Sequence, residues 1–333
     1  MRFVNAWRLG AAAILAATLA AAPALAQWDR AAEGKFDRTL QVSGEVDLDV
    51  RTGSGGVKVR SGSGNAVVIN AQVRVRADRR RSMAEAERLL EEILKNPPIE
   101  QSGNTIRIGR MENDEELRRN VSISYDIVTP AATRLRAGTG SGSVYVLGLS
   151  AALEANTGSG SVDIEQIGGE VRASTGSGSI RATNIKGGLR ANTGSGGIRG
   201  TGVGGSVTAS TGSGSIEIEQ ISGGDADVRT GSGGIRITGV HGTLRAHTGS
   251  GSIRADGTPT GNWRLQTSSG GITVRLPAEA GFELDARTSS GSIDTSHPVT
   301  LQGRINRRAV RGRVRGGGPL IELSTSSGTI RVE

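Results

Sequence analysis

A six-residue phrase recurs along most of the chain: Thr-Gly-Ser-Gly, then Ser or Gly, then Val or Ile. It begins at seven threonines spaced 18 or 19 residues apart, namely Thr139, Thr157, Thr175, Thr193, Thr211, Thr230 and Thr248. A looser form, Thr-Ser-Ser-Gly, begins at Thr267, Thr288 and Thr325, and the last two are 37 residues apart. Self-similarity at a short, fixed period is typical of stacked repeat folds.

Aligning the units predicts two short strands in each, because apolar residues occupy every second position. The sixth position of the phrase is apolar throughout: Val144, Val162, Ile180, Ile198, Ile216, Ile235, Ile253, Ile272, Ile293 and Ile330. A second apolar column precedes the other corner: Ile167, Ile185, Val203, Ile221 and Val240. A third begins the next strand: Leu153, Val171, Leu189, Val207, Ala226, Leu244, Trp263 and Leu284. One unit has too little apolar surface to fold alone, so successive units must stack.

The predicted fold is all-β: a parallel β-solenoid (β-helix) of about 18-residue coils with one short inserted α-helix. Equivalent residues of successive coils then lie about 4.8 Å apart. The chain has 52 Gly among 333 residues, and we expect them at corners whose backbone dihedrals are closed to other residues. A flexible Gly/Ser linker does not fit, because every phrase ends in a β-branched residue in register.

The N-terminus predicts export. Arg2 and Arg8 precede a short apolar run that ends in Pro23-Ala-Leu-Ala26, the pattern of a secretory signal peptide. The chain has no Cys, which excludes a lipid anchor and a disulfide scaffold. No second apolar run is long enough to cross a membrane. We therefore expect the mature chain in the periplasm, on the cell surface or outside the cell.

An inserted helix is expected before the repeats. Ser82-Met-Ala-Glu85 reads as a capping box, and Asn96-Pro97-Pro98 ends the helical pattern. We expect the helix to close an end of the stack or to pack on its side; the alternative is a membrane-surface or partner helix. The expected organisation is a signal peptide at 1–26, a linker at 27–37, a degenerate β region at 38–129 with the helix at about 82–96, and the repeat solenoid at 130–333 with an Arg-rich insertion at about 297–318.

The chain combines a predicted export signal, the early strand Gly44–Val50, the segment Ser124–Pro130, the repeat array and the closing stretch Gly316–Ile330. In these features it resembles the bacterial envelope proteins known as putative adhesins of the DUF4097 β-strand repeat family. The resemblance covers roughly residues 38 to 333. It implies a β-helical fold and an envelope or surface setting, without a defined activity.

Catalytic, metal and cofactor sites are not predicted. The outward pairs Asp163 with Glu165 and Glu217 with Glu219 have the spacing of glycosidase carboxylates, but arginines of the neighbouring coils should hold them ionised. The column that would carry calcium ligands in a β-roll is dominated by Arg. The three histidines, His241, His247 and His297, are too dispersed for a metal site and are interpreted as solvated.

Arginine is the one residue type that points to a ligand. Like charges in facing positions of a ladder are unfavourable unless an anion or water lies between them, and Arg suits bidentate contact with oxyanions. The candidate anion-binding residues are Arg181, Arg199, Arg236 and Arg254 in the coils, and Arg304, Arg307, Arg308, Arg311, Arg313 and Arg315 in the insertion. The alternative is an ordinary solvated hairpin in an Arg-rich chain.

Two functions of different classes follow. The first is a non-enzymatic, adhesin-like binding protein of the cell envelope that contacts an anionic polysaccharide or lipopolysaccharide. The second is a self-assembling scaffold, because the chain stops at Glu333 directly after a strand and shows no cap, unless the helix or the insertion covers an end. A polysaccharide-active β-helix enzyme is a third hypothesis with less support. Nucleic acid is not an expected partner, because the chain is exported and has only three Trp, two Tyr and three Phe.

Overall fold

A computed structural model describes residues 31–78, 81–109, 120–301 and 307–333. The signal peptide prediction and Arg304 lie outside these ranges. Within them, no helix is long and apolar enough to cross a membrane.

The chain forms one helix and many short strands among the described residues. The elements before the repeat array are β1 (Ala31–Gln41), β2 (Val46–Thr52), β3 (Val57–Gly62), β4 (Ala66–Arg76), α1 (Met83–Lys95), β5 (Ile99–Ser102), β6 (Thr105–Ile108) and β7 (Val121–Pro130). The array contains β8 (Thr133–Thr139), β9 (Val144–Leu147), β10 (Leu153–Thr157), β11 (Val162–Ile167), β12 (Val171–Thr175), β13 (Ile180–Ile185), β14 (Leu189–Thr193), β15 (Ile198–Val203), β16 (Val207–Thr211), β17 (Ile216–Gln220), β18 (Ala226–Thr230), β19 (Ile235–Val240), β20 (Leu244–Thr248), β21 (Ile253–Gly257), β22 (Trp263–Ser269) and β23 (Ile272–Arg275). The last strands are β24 (Phe282–Ser290), β25 (Ile293–Thr295), β26 (Val299–Leu301), β27 (Ala309–Val314), β28 (Leu320–Ser327) and β29 (Ile330–Val332).

The strands form two long sheets, and each coil gives one strand to each sheet. Sheet A has 14 strands in the order β1-β4-β7-β3-β9-β11-β13-β15-β17-β19-β21-β23-β29-β25. Sheet B has 15 strands in the order β26-β27-β24-β28-β22-β20-β18-β16-β14-β12-β10-β8-β2-β6-β5. The coils pair in parallel and in register, as Val162 does with Ile180. The predicted all-β parallel solenoid with one inserted helix is confirmed.

The core lies between the sheets and consists of the aligned apolar columns. The Val/Ile column at the end of the phrase is buried, apart from the partly buried Ile293 in the terminal strand β25. Trp263 fills a place in the facing column with no exposed surface, and its indole N–H donates to the carbonyl oxygen of Gly242 at 3.1 Å. Both halves of the chain contribute to one continuous hydrophobic cluster.

The phrase Thr-Gly-Ser-Gly builds a corner that ties each coil to the one before it. Thr157 is buried, and its hydroxyl donates to the carbonyl oxygen of Gly142 in the preceding coil at 2.8 Å. The Thr157 hydroxyl oxygen in turn accepts the N–H of Gly160, in its own corner, at 3.2 Å. This pair of bonds recurs from coil to coil, so the threonine column satisfies polar groups that would otherwise be buried without partners.

The reason for glycine at these corners differs from our expectation. Gly158 and Gly160 are not in the left-handed region of backbone space. Their hydrogens instead face the preceding coil: a Cβ on Gly160 would lie 1.9 Å from the carbonyl oxygen of Gly142, and a Cβ on Gly158 would lie 2.3 Å from that of Gly140. Close stacking of coils, rather than an unusual dihedral, therefore requires glycine here.

The opposite corner does use left-handed residues, and one coil departs from the pattern. Gln166 and Asn184 have φ of 58° and 56° at equivalent positions. Gln220 occupies the equivalent position one coil after Gly202 but stays in the strand, pairs with Val203 and is buried. The prediction that Ile221 faces the core is wrong, because without the extra left-handed residue the alternation turns Ile221 outward, where it is 65% exposed.

The order of the coils is not the order of the chain at the C-terminal end. Strands β28 and β29 insert between the β22–β23 coil and the β24–β25 coil. The expectation that the strand before Glu333 ends the stack is therefore wrong. The predicted Arg-rich insertion contributes β27 and β26, which extend sheet B beyond β24 with antiparallel pairing.

The N-terminal end is also closed by antiparallel strands. Residues 31–37, which we assigned to a linker, form part of β1, an 11-residue strand that pairs antiparallel with β4. Helix α1 has the expected capping box between Ser82 and Glu85 and buries Ala86, Leu90 and Ile93. It packs on β1 and β4, where Gly34 leaves room for Leu90 and Leu94. The helix thus covers the core at this end.

Candidate anion-binding surface

The residue after each inward Val or Ile of sheet A points outward, so these residues form a ladder along the solenoid. In spatial order the ladder is Lys58, Tyr145, Asp163, Arg181, Arg199, Glu217, Arg236, Arg254, Thr273, Arg331 and Asp294. Arg181 and Arg199 are therefore direct neighbours in the sheet, and so are Arg236 and Arg254. The two pairs differ in how their charge is balanced.

In the first pair, each arginine forms an ion pair with a carboxylate of the next coil on its far side. A guanidinium nitrogen of Arg181 lies 3.2 Å from the Asp163 carboxylate, and one of Arg199 lies 2.6 Å from Glu217. The stacked arginines thus turn away from each other to carboxylates on either side. This explains how a like-charge pair is tolerated. It also places Asp163 and Glu217 in ion pairs, the state we expected for these two carboxylates.

In the second pair no carboxylate is within 4.0 Å of either guanidinium among the described residues. Arg236 borders Glu217, but Glu217 pairs with Arg199 on its other side. Arg254 is followed by Thr273 and then by Arg331, which is also exposed and without an ion pair in the described ranges. These three arginines lie on one face, with Arg254 and Arg331 about 10 Å apart by strand spacing.

The three residues line a cleft of about 240 Å³ on the outer face of sheet A, which we call the arginine cleft. Its charged lining is completed by Arg275, which pairs with Glu333 at 3.1 Å, and by Asp256. Four arginines therefore face two carboxylates, and the cleft has a net positive charge. Thr238 and Thr273 add neutral donors to the lining.

Fewer arginines of the Arg-rich insertion are available to bind an anion than its sequence suggests. Arg313 pairs with Glu283 and Arg315 with Glu279, both at 3.2 Å. Arg308 also has an interaction partner. Arg307 and Arg311 are exposed and have no ion pair with the described part of the chain.

Two arginines of the cleft were missed by sequence reasoning. Arg331 is the outward residue of the last repeat, and the chain order places it after Asp294 rather than near Arg254. The inserted β28–β29 coil moves it to within two strands of Arg254. The alignment of Ile330 with the repeat column was the available signal for Arg331. Arg275 stands where earlier repeats have Leu, Glu, Thr or Asp, and nothing in its pattern marks it.

Two ionisable groups outside the cleft have shifted pKa values. Hydrogen bonding to Thr243 lowers the pKa of Asp225, and burial raises the pKa of Tyr125. His297, expected to be solvated, is buried and packs edge-on against Phe282 with ring centroids 5.3 Å apart. In the described ranges no group of three His, Asp or Glu residues is arranged to hold a metal ion.

The fold and the repeat pattern agree with one protein family, whose description is Toastrack DUF4097 and whose family model matches residues 38–333. The chain belongs to the Toastrack DUF4097 family. This confirms the resemblance drawn from the sequence. None of the curated proteins compared with this Toastrack chain matches it.

Three solved structures are similar to this Toastrack chain, each over 90% of its length. A putative adhesin from Parabacteroides distasonis shares 11% identity, with 97% of its own chain covered and a TM-score of 0.28. A putative cell adhesion protein from Clostridium sporogenes shares 9%, with 99% covered and a TM-score of 0.21. A putative lipid binding protein from Parabacteroides distasonis shares 11%, with 96% covered and a TM-score of 0.25. Identities this low transfer no ligand to the chain.

Proposed function

We propose that this protein is an exported, non-enzymatic binding protein of the cell envelope that holds an anionic polysaccharide or lipopolysaccharide in the arginine cleft. The observation that carries the proposal is the row of exposed arginines, Arg236, Arg254 and Arg331, without ion pairs among the described residues. Arginines elsewhere on the same ladder have carboxylate partners, so an external anion is the missing partner of this group.

The chemistry of the cleft fits phosphate or carboxylate groups on a polymer. Guanidinium groups offer paired donors to such oxyanions, and Arg236, Arg254 and Arg331 are exposed, so they can reach groups on a long ligand. Adjacent arginines at the strand spacing of about 4.8 Å can share one anionic group or hold successive ones. The binding energy is electrostatic and exposed to solvent, so we expect it to weaken with salt.

The test compares two triple variants with the same loss of charge. The first is Arg236→Gln with Arg254→Gln and Arg331→Gln. The control is Arg60→Gln with Arg181→Gln and Arg199→Gln, because these three sheet A arginines are held in ion pairs at 2.9, 3.2 and 2.6 Å. Retention on immobilised lipopolysaccharide and on polygalacturonate is measured across a NaCl gradient.

We expect the cleft variant to elute at a markedly lower NaCl concentration and the control to elute close to the wild type. Equal losses in both variants would mean that net charge alone is responsible, and the cleft assignment would fall. Protease added to intact cells, followed by fractionation, tests the proposed location in the periplasm or at the surface.

The scaffold hypothesis has less support than the binding hypothesis. Three of the four strands at the sheet edges, β5, β25 and β26, have only four, three and three residues. Short edge strands are a means by which proteins avoid edge-to-edge association. The ion pairs of Asp163 and Glu217 likewise give no support to a glycan-cleaving enzyme, whose general acid needs a raised pKa.

A further inference from the structure

A shallow surface groove lies on sheet B, on the opposite side of the core from the arginine cleft. It is an open groove of about 790 Å³ that crosses five coils parallel to the solenoid axis. Its floor is the outward column Gly138, Asn156, Ser174, Asn192 and Ser210, whose members are direct neighbours in the sheet. We call it the amide–hydroxyl groove.

The lining of this groove contains no charged residue and consists of Gly, Ser, Thr and Asn. The column is charged again immediately outside it. Arg51 precedes Gly138, and Arg229 follows Ser210. Arg51 pairs with Asp49 at 3.1 Å, and Arg229 pairs with Asp227 at 2.8 Å. The groove is therefore a neutral strip of defined length within a charged surface.

The exposed polar groups are amides and hydroxyls, each able to donate and to accept. The Asn156 amide nitrogen donates to the Glu154 carboxylate at 2.9 Å, and the Asn156 side-chain oxygen remains an acceptor. A ligand that presents many hydroxyls and no charge matches this set. An anionic chain would instead meet a strip without any cation.

We propose that the amide–hydroxyl groove binds an uncharged linear polysaccharide that lies along the solenoid axis. Asn and Ser alternate along the floor, so the groove repeats every two coils, or about 9.6 Å, which is close to the length of an extended disaccharide. The four strand spacings from Gly138 to Ser210 span about 19 Å, the length of roughly four sugar rings. This site is independent of the arginine cleft and of its anionic ligand.

The experiment screens the full mature chain against a panel of neutral linear oligosaccharides: glucans, mannans and chito-oligosaccharides of two to eight units. Affinities of the hits are measured by titration calorimetry. The test variant is Ser174→Leu with Asn192→Leu, in the middle of the groove. The matched control is Gln266→Leu with Ser324→Leu, two neighbouring, partly exposed residues on the same column of sheet B but beyond Arg229. Melting temperatures confirm that the variants are folded.

We expect binding of at least one class of neutral chain, with affinity that rises up to about four units and then levels off. The groove variant should bind about tenfold more weakly or worse, and the control should match the wild type. The Arg254→Gln variant should keep full affinity for the neutral chain, which separates this site from the proposed anion site. Failure to bind any neutral chain, or equal weakening by the control variant, overturns the proposal.

Discussion

The adjacent glycines Gly196 and Gly197 allow a sharp test of how the coils stack. A Cβ on Gly196 would lie 2.0 Å from the carbonyl oxygen of Gly178 and 2.5 Å from its carbonyl carbon, both backbone atoms of the preceding coil. A Cβ on Gly197 would lie 3.4 Å from the nearest atom, the carbonyl oxygen of Ser215, which is ordinary contact. The two positions share one corner, so Gly196→Ala and Gly197→Ala differ mainly in this clash.

The size of the effect follows from the bonds that the clash displaces. Relief of a 2.0 Å contact to at least 3.0 Å requires a local separation of about 1 Å between the coils. That shift breaks the bond from the Thr193 hydroxyl to Gly178, now 2.8 Å, and the bond from the Gly194 amide to Gly176, now 3.0 Å. Two hydrogen bonds at about 1 kcal/mol each, with about 1–3 kcal/mol for overpacking, predict a loss of about 3–5 kcal/mol.

The measurement is urea unfolding followed by circular dichroism, with both variants compared with the wild type. Substitution of Gly by Ala lowers the entropy of the unfolded chain about equally at the two positions, so the difference between the variants isolates the clash. We expect Gly197→Ala to stay within about 1 kcal/mol of the wild type. If Gly196→Ala is no less stable than Gly197→Ala, close stacking is not the reason for glycine at these corners.

Two further predictions concern the ends of the stack. Hydrogen bonds from Ser82 lower the pKa of Glu85, so the ionised Glu85 contributes to stability above its ordinary pKa, and this contribution is lost as the pH falls below about 4. The melting temperature of a Glu85→Gln variant should therefore fall less between pH 6 and pH 3 than that of the wild type, and identical pH profiles would refute this. Removal of residues 320–333 takes β28 away from its pairing with β22, so the fluorescence of the buried Trp263 should shift to longer wavelength; an unchanged emission spectrum would contradict the inserted position of that coil.

The sequence predicts the interior of the array well because its signals are local and repeated. The alternation from Ile180 to Ala182, repeated every 18 residues, defines which side chains are buried and which coils are neighbours. The predicted burial is wrong where a single residue adopts a different backbone conformation from its equivalents in other coils. Gln220 carries no sign that it stays in the strand, yet that choice exposes Ile221.

The order of the terminal coils could not be derived from the repeat pattern. Thr288 and Thr325 open nearly identical phrases, so either coil fits against Thr267 by composition. The choice depends on the long connection between them and on β27, which needs β24 as its antiparallel partner. The full set of residues in the arginine cleft could not be predicted for the same reason, because Arg331 lies in the cleft only when its coil is inserted beside the β22–β23 coil.

The arginine cleft should also lower the stability of the fold. Arg254 lies beside Arg236 in the ladder, and neither has a carboxylate within 4.0 Å among the described residues, so their repulsion is uncompensated in the free protein. Substitution of Arg254 by Glu gives Arg236 a cross-strand partner, and an exposed pair of this kind contributes about 0.2–1 kcal/mol. When a site is retained for ligand binding although it lowers stability, substitution of its residues raises the stability of the free protein.

We therefore expect Arg254→Glu to raise the melting temperature at low salt while it abolishes retention on anionic polysaccharide. The gain should shrink as NaCl is added, because salt screens the repulsion in the wild type. Arg229→Glu provides the opposite case, since it replaces the 2.8 Å ion pair with Asp227 by a like-charge contact, adds no partner for a neighbouring arginine, and should lower the melting temperature. A loss of stability in both variants would show that Arg254 is already compensated in the free protein, and the main reason to infer an external anion would disappear.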